Sequence, residues 1–235
     1  QRSALEVLRE AQHRNPKAAP IYSGIAYAAR TAGLLDVAVR ALKRRDRLIP
    51  TSLTHYTAEN TYLYLGDWKA FRATLVERPG NPRNTVVHFY RGYLVLAEGH
   101  REAAREHFER AVALGQGYGE FLRLSEVFRD ITNDRREVAL ANLRRLERDR
   151  TGLRVPDGEF TFKMAEAYAL LGDREASLDL LSRAFAQGFG CSRWYRESPF
   201  LGPVRQALRW RSLLNRVEER ERLIASRFTP RTFGL

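Results

Sequence analysis

The stretch that decides the fold is residues 19–50, which read APIYSGIAYAARTAGLLDVAVRALKRRDRLIP. Within it, residues 22–29 and residues 38–42 place apolar side chains at the spacing of a helix with one buried face. Gly33 separates the two stripes, and Pro50 follows the second one. Because glycine ends a helix in the left-handed conformation and proline stops the next helix, the stretch predicts two helices joined by a tight turn.

The same turn recurs along the chain. Gly33, Gly66 and Gly99 stand 33 residues apart, and Gly172 follows Gly99 after 73 residues. A period of about 34 residues is typical of helix-turn-helix repeats, each of which buries its apolar stripe against its neighbours. The sequence therefore predicts an all-α fold built from consecutive helix pairs.

These repeats resemble the tetratricopeptide family. Its motif has bulky and small residues on the first helix, a glycine at the turn, and a small–aromatic–small series on the second helix. The matching residues here are Tyr22, Ile25, Ala26, Ala29, Gly33, Ala38, Leu42 and Pro50; then Gly92, Val95, Gly99, Ala104, Phe108 and Ala111; then Met164, Ala165, Tyr168, Gly172, Asp173, Ser177, Leu181 and Ala184. The resemblance implies a right-handed α-solenoid whose first helices line an inner, concave groove.

We expect residues 1–235 to form one such solenoid. Residues 1–16 match an incoming second helix that lacks its first helix, and residues 17–190 hold about five repeats. The long interval before Gly172 predicts a loop near residues 150–158, where Thr-Gly and Pro-Asp-Gly sequences favour turns.

Two repeats depart from the motif. The unit around Gly66 has Glu59 and Phe71 at positions where small residues are expected. The next unit has no turn glycine, and Asn133-Asp134 is predicted to replace it because both residue types tolerate the left-handed conformation.

Residues 191–235 are predicted to be a capping tail. They resemble the tails that close tetratricopeptide proteins among bacterial transcriptional regulators, serine/threonine kinases and nucleotide cyclases. A solenoid end needs a cap with a polar outer face. We expect residues 199–228 to cover the last repeat. The covering residues would be Leu208, Trp210, Leu213, Leu214, Val217 and Ile224, and the covered ones Tyr168, Leu181 and Phe185.

The chain is strongly basic. It has 40 Lys and Arg against 28 Asp and Glu, a net charge of +12, and only four of the basic residues are lysine. One interpretation is a compositional preference for arginine. The alternative is nucleic-acid binding through an arginine-rich convex surface. Its candidate residues are Arg40, Lys43, Arg44, Arg45 and Arg47, and Arg135, Arg136, Arg144, Arg145, Arg148 and Arg150.

No pattern for catalysis, cofactor binding or metal binding stands out. The closest two of the five histidines, His100 and His107, lack the one-turn spacing of a zinc-binding helix. The glycines of residues 115–119 follow no predicted strand, unlike those of a dinucleotide site. The single cysteine, Cys191, has no activating base close in sequence. We therefore expect a protein that is not an enzyme and that uses no cofactor or metal.

The groove side of the first helices is the candidate site for a protein or peptide partner. By repeat period, its residues are Tyr27, Arg30, Tyr56, Asn60, Tyr64, Phe89, Tyr93 and Arg123. Aromatic rings offer large contact areas, and the arginines suit an extended peptide with acidic or apolar anchors. Rings at these positions also serve as core between adjacent helices, so both placements stay open.

The expected function is a non-enzymatic interaction scaffold, the regulatory or docking part of a larger bacterial protein. A small-molecule sensor is a further alternative, although no residue selects a ligand. No apolar run reaches the ~20 residues that span a bilayer. A cytoplasmic location is favoured over a periplasmic one, which would need a membrane span before Gln1.

Overall fold

The structure of this chain, a computed structural model, describes residues 2–49, 59–81, 83–115, 119–154 and 156–235. Within these ranges the secondary structure is helical, with no strand, which confirms the predicted all-α fold. The α-helices are α1 (Arg2–Arg14), α2 (Ala19–Thr31), α3 (Leu35–Leu48), α4 (Glu59–Tyr64), α5 (Trp68–Thr74), α6 (Asn84–Ala97), α7 (Arg101–Ala113), α8 (Gly119–Thr132), α9 (Arg136–Arg150), α10 (Gly158–Leu170), α11 (Arg174–Ala186), α12 (Ser192–Glu197) and α13 (Leu208–Ala225). A first 3-10 helix spans Pro199–Val204 and a second one spans Pro230–Phe233. None of the described helices is both long enough and apolar enough to cross a lipid bilayer.

Consecutive helices pack in pairs: α2 with α3, α4 with α5, α6 with α7, α8 with α9, and α10 with α11. The turns between the paired helices contain Gly33, Gly66, Gly99 and Gly172, with φ angles of 88°, 70°, 86° and 77°. In the turn between α8 and α9, Asp134 takes the left-handed conformation with φ 57°. The predicted helix pairs and the non-glycine turn are therefore confirmed.

A small residue lets two paired helices approach closely. A Cβ atom on Gly92 of α6 would lie 2.9 Å from the ring of Phe108 on α7. Phe108 is fully buried, and so are Ala104 and Ala111 on the same face of α7. Glycine on α6 thus makes room for the ring on α7, as the repeat motif predicts.

The loop predicted from the long repeat interval is also present. Helix α9 ends at Arg150 and α10 begins at Gly158. The side chain of Asp157 caps α10 by accepting a hydrogen bond from the Glu159 amide at 2.9 Å. The extra residues therefore lie between two repeats and leave the helices intact.

The chain divides into two compact units. Unit 1 comprises Gln1–Thr74, Gly188–Glu197 and Arg211–Leu235. Unit 2 comprises Leu75–Gln187 and Ser198–Trp210. Each unit thus combines repeat helices with part of the region that follows the repeats.

In unit 1 the C-terminal end of the chain packs onto the first three helices. One buried cluster contains Leu5 of α1, Ile25 of α2, Leu42 of α3, Ile224 of α13, and Phe228 and Phe233. The rings of Phe228 and Phe233 stack with 6.0 Å between centroids. The side-chain amide of Gln12 donates a hydrogen bond to the Phe233 carbonyl. The second 3-10 helix accordingly lies against α1 and α3.

The structure corrects which residues cover the last repeat. In unit 2 the first 3-10 helix packs on α10 and α11, and its Phe200, Leu201 and Val204 are buried. Leu208, expected to help cover this repeat, is 80% exposed. Ile224, expected there too, lies in the core of unit 1. The sequence shows that a tail residue is apolar but does not show which helices it packs against. The expectation that Leu208 and Ile224 cover the last repeat was therefore wrong.

Candidate partner-binding surface

Tyr27 on α2 keeps a partly exposed ring. It is 37% exposed, whereas Arg30, one turn later, is 2% exposed. The Arg30 guanidinium lies 5.0 Å from the centre of the Tyr27 ring. A cation over an aromatic face is attracted by the ring, which favours one orientation of the tyrosine. Helix α2 therefore presents an oriented tyrosine to solvent with a buried positive charge beneath it.

Tyr64 on α4 lies in the core of unit 1. The residue is fully buried, and its ring centroid lies 5.4 Å from that of Phe189 and 5.1 Å from that of Trp194. Asn60, one turn earlier, is also buried. The assignment of Tyr64 and Asn60 to an open groove is thereby corrected, because Tyr64 packs against residues that follow the repeats. Tyr56, predicted beside them, lies outside the described residues.

Phe89 on α6 is at the centre of the aromatic core of unit 2. It is fully buried. Its ring centroid lies 5.9 Å from Phe108 of α7, and 5.3 Å and 5.5 Å from Phe121 and Phe128 of α8. These rings join three consecutive helices by edge-on and tilted contacts. Of the two placements left open by the sequence, the core is the one found for Phe89.

Tyr93, one turn after Phe89, belongs to a buried polar cluster of unit 2. Its hydroxyl donates to Glu166 Oε1 at 2.7 Å and accepts from Lys163 Nζ at 2.8 Å. Lys163 Nζ lies 3.2 Å from Glu166 Oε2, and the Ser198 hydroxyl donates to Glu166 Oε1 at 2.6 Å. Burial, followed by the nearby Glu166 carboxylate, raises the pKa of Tyr93 well above its usual value. We call these four residues the Glu166 cluster.

The Glu166 cluster ties the region after the repeats to α10. Ser198 immediately precedes the first 3-10 helix, and the Phe200 ring packs edge-on against Tyr93 with 4.8 Å between centroids. Tyr93 is therefore enclosed by the protein itself, which corrects its placement in an open groove. One signal was present in the sequence: Lys163 and Glu166 are the charged residues of the second part of α10, residues 162–170, whose other residues are apolar or aromatic.

Arg123 on α8 is engaged within unit 2. Its guanidinium pairs with Asp149 of α9 at 2.7 Å, and its side chain is 32% exposed. The structure thus does not bring the predicted groove residues together on one open surface. Tyr27 offers the most accessible aromatic surface among those that the structure describes.

A second polar group in unit 2 surrounds His88. Its Nε2 lies 3.1 Å from a carboxylate oxygen of Glu77, which also pairs with Arg91. The ring of His107 lies 5.7 Å away between centroids. Burial lowers the pKa of both histidines, which favours their neutral forms. Across the described ranges, no three His, Cys, Asp or Glu side chains are arranged to hold a metal ion.

A cleft of about 240 Å³ opens beside the loop before α10. Two arginines line it, and both are paired within unit 2. Arg150 pairs with Glu120, and Arg183 pairs with Glu147 at 2.9 Å. The pairing leaves little net charge to select a small ligand, so the cleft does not favour the sensor alternative.

The arginines predicted for the nucleic-acid alternative reach solvent only in part. On α3, Arg45 is 2% exposed and pairs with Asp46 at 2.7 Å. Arg40 pairs with Asp36 at 3.0 Å. On α9, Arg150 is buried. The candidates that are exposed and have no ion pair among the described residues are Lys43, Arg47, Arg135, Arg144, Arg145 and Arg148.

Comparison of this chain with known proteins finds no related protein. No protein-family model, curated protein or solved structure matches this chain. The resemblance to tetratricopeptide repeats therefore stays a prediction.

Proposed function

We propose that this chain is a non-enzymatic, tetratricopeptide-like repeat scaffold that binds a protein or peptide partner as the regulatory or docking part of a larger bacterial protein. The main support is the series of five helix pairs found in the described residues, whose turns each contain a left-handed residue. In repeat proteins, helix pairs of this kind build the extended surfaces that bind other proteins.

The contact proposed for the partner is the surface of α2 around Tyr27. A tyrosine held in one orientation loses little conformational entropy on binding and offers an apolar face with a polar tip. The Arg30 guanidinium beneath the ring adds a positive charge. This combination suits a partner segment with an apolar or acidic anchor.

The test places a photo-activatable benzoylphenylalanine at position 27 in one variant and at position 138 in another. Val138 is a matched control because it is 49% exposed, similar to Tyr27, and lies on α9 of unit 2. We expect a discrete crosslinked protein from bacterial extract at position 27, suppressed by excess unlabelled chain and absent at position 138. The captured protein, once purified, should bind the Tyr27→Ala variant about tenfold more weakly than the native chain.

Either of two results would contradict the proposal. One is identical crosslinking patterns at the two positions, which would indicate non-specific contact. The other is a captured protein whose affinity for the Tyr27→Ala variant equals its affinity for the native chain, measured by isothermal titration calorimetry.

A further inference from the structure

The positive charge of the chain is concentrated in unit 1. Unit 1 contains 20 Lys and Arg against 10 Asp and Glu, a net charge of +10. Unit 2 contains 20 against 18, a net charge of +2, and the two values together give the +12 of the whole chain. A genome-wide preference for arginine would raise the number of arginines in both units, but it does not explain why acidic residues offset them in only one. Such asymmetry is typical of chains that bind an anionic surface.

Helix α3 carries part of this excess charge on its outer face. Its exposed positions are Asp36, Arg40, Lys43 and Arg47, which recur at helical spacing. Asp36 pairs with Arg40 at 3.0 Å. Lys43 and Arg47 are one turn apart and have no carboxylate within 4.0 Å among the described residues. The second half of α3 is therefore a surface with unmatched positive charge.

The C-terminal end of the chain adds two more cations beside α3. Phe228 and Phe233 are buried in the cluster that includes Leu42 of α3, and the second 3-10 helix lies against α3. Arg231 lies within this 3-10 helix and Arg227 directly precedes Phe228; both side chains are exposed and have no ion pair with any described residue. We call Lys43, Arg47, Arg227 and Arg231 the basic face.

We propose that the basic face binds the phosphate backbone of a nucleic acid, a function separate from the protein binding proposed above. Three of its four side chains are arginines, whose planar fork binds phosphate oxygens in pairs. The exposed positions of α3 and of residues 226–235 are all polar or glycine. Protein interfaces are centred on apolar and aromatic side chains, whereas nucleic-acid interfaces are more polar and strongly positive. A phosphate backbone therefore fits this face better than an acidic protein does.

The experiment measures fluorescence anisotropy of a labelled DNA duplex and of a labelled RNA hairpin, each about 20 nucleotides long per strand. The variant Lys43→Ala/Arg47→Ala/Arg227→Ala/Arg231→Ala removes the basic face. The matched control, Arg144→Ala/Arg145→Ala/Arg148→Ala/Arg154→Ala, removes the same charge from exposed arginines of unit 2 that have no ion pair with a described residue. All eight side chains are exposed, so neither variant opens a cavity in the core.

We expect the native chain to bind at least one probe at about 50 mM salt, with an affinity that falls steeply as salt rises. Removing the basic face should weaken binding by tenfold or more. It should also reduce the slope of log affinity against log salt by about three to four, because roughly 0.9 counterions are released per phosphate contact. The control variant should keep most of the affinity, and the tighter probe identifies DNA or RNA as the preferred source of phosphate.

Three results would overturn the proposal. The first is that the native chain binds neither probe at about 50 mM salt. Equal weakening in the two variants would show that total charge, and no particular face, attracts the probes. A poly-glutamate peptide that displaces both probes at equal charge concentration would indicate an acidic protein as the partner of this face. None of these results alters the crosslinking test at Tyr27.

Discussion

At the scale of single residues, the Glu166 cluster is the least expected feature of the chain. Glu166 is 0% exposed and Lys163 is 1% exposed. A charge removed from water is destabilising unless another charge and several hydrogen bonds compensate for it. Here one carboxylate accepts from Tyr93, Lys163 and Ser198. The cluster therefore fixes Ser198 beside α10 through directional bonds.

Replacing Lys163 by methionine should show how much the buried Glu166 carboxylate depends on the Lys163 ammonium group. The carboxylate would remain buried without its ammonium partner, and we expect the free energy of unfolding to fall by about 3–5 kcal/mol. Adding Glu166→Gln should restore at least half of that loss, because the neutral amide still offers an oxygen to Tyr93 and Ser198. Urea denaturation followed by circular dichroism measures both values.

The control for this cycle is Arg174→Met, at an exposed position on α11, which should change the free energy of unfolding by no more than about 0.5 kcal/mol. A double variant that is less stable than Lys163→Met alone would show that the charge on Glu166 is not the source of the loss.

Which residues form the candidate site was only partly predictable from sequence. Repeat period, a local property of the sequence, places Tyr27 on the groove side of its helix, and the structure leaves this ring partly exposed. The sequence leaves open whether Tyr64 and Tyr93 face the groove or the core, because the rings that bury them, Trp194 and Phe200, lie more than 100 residues further along the chain. Helical spacing identifies which face of a helix is apolar, but it carries no information on which distant segment covers that face.

At the scale of elements, the turns between paired helices have the clearest sequence signal. Gly33 and Gly99 have nearly equal φ angles, 88° and 86°, but different surroundings. A Cβ atom on Gly99 would meet no atom within 4 Å, whereas one on Gly33 would lie 2.0 Å from the Glu221 carboxylate. Glu221 accepts a hydrogen bond from the Ser192 amide at 2.8 Å. Comparing the two turns therefore separates the cost of the left-handed backbone from the cost of disturbing the contact with Glu221.

Substituting alanine at these two glycines should give different losses of stability. Gly99→Ala should lower the free energy of unfolding by about 1–2 kcal/mol, the typical penalty of the left-handed conformation. Gly33→Ala should lower it by about 1 kcal/mol more, because Glu221 must move away from Ser192. Thermal and urea unfolding measure both losses.

The double variant Gly33→Ala/Glu221→Ala serves as the check on this reasoning. In the Glu221→Ala background the clashing side chain is absent. Gly33→Ala should therefore lower the free energy of unfolding by less in this background than in the native chain. Equal losses for Gly33→Ala in the two backgrounds would show that Glu221 does not restrict this turn.

At the scale of the whole molecule, unit 1 is made from both ends of the chain. In most repeat proteins each repeat contacts only its neighbours, so the terminal repeats are stabilised from one side. Here Ile224, Phe228 and Phe233 share a core with α1, α2 and α3. The tail was predictable as an apolar segment that must pack somewhere. Its location was not predictable, since first and last repeats offer similar apolar stripes.

Truncation after Trp210 tests this arrangement, because it removes only residues of unit 1. Five buried apolar side chains are lost, Leu213, Val217, Ile224, Phe228 and Phe233, each of which contributes about 1.5–3 kcal/mol before entropy is subtracted. We expect amide hydrogen exchange in α2 and α3 to accelerate by tenfold or more, while exchange in α8 and α9 of unit 2 stays unchanged. The first 3-10 helix remains in the truncated chain, so α10 and α11 should keep their protection as well. The opposite pattern, with faster exchange in α10 and α11 and unchanged exchange in α2 and α3, would mean that residues 211–235 stabilise the last repeat and not the first.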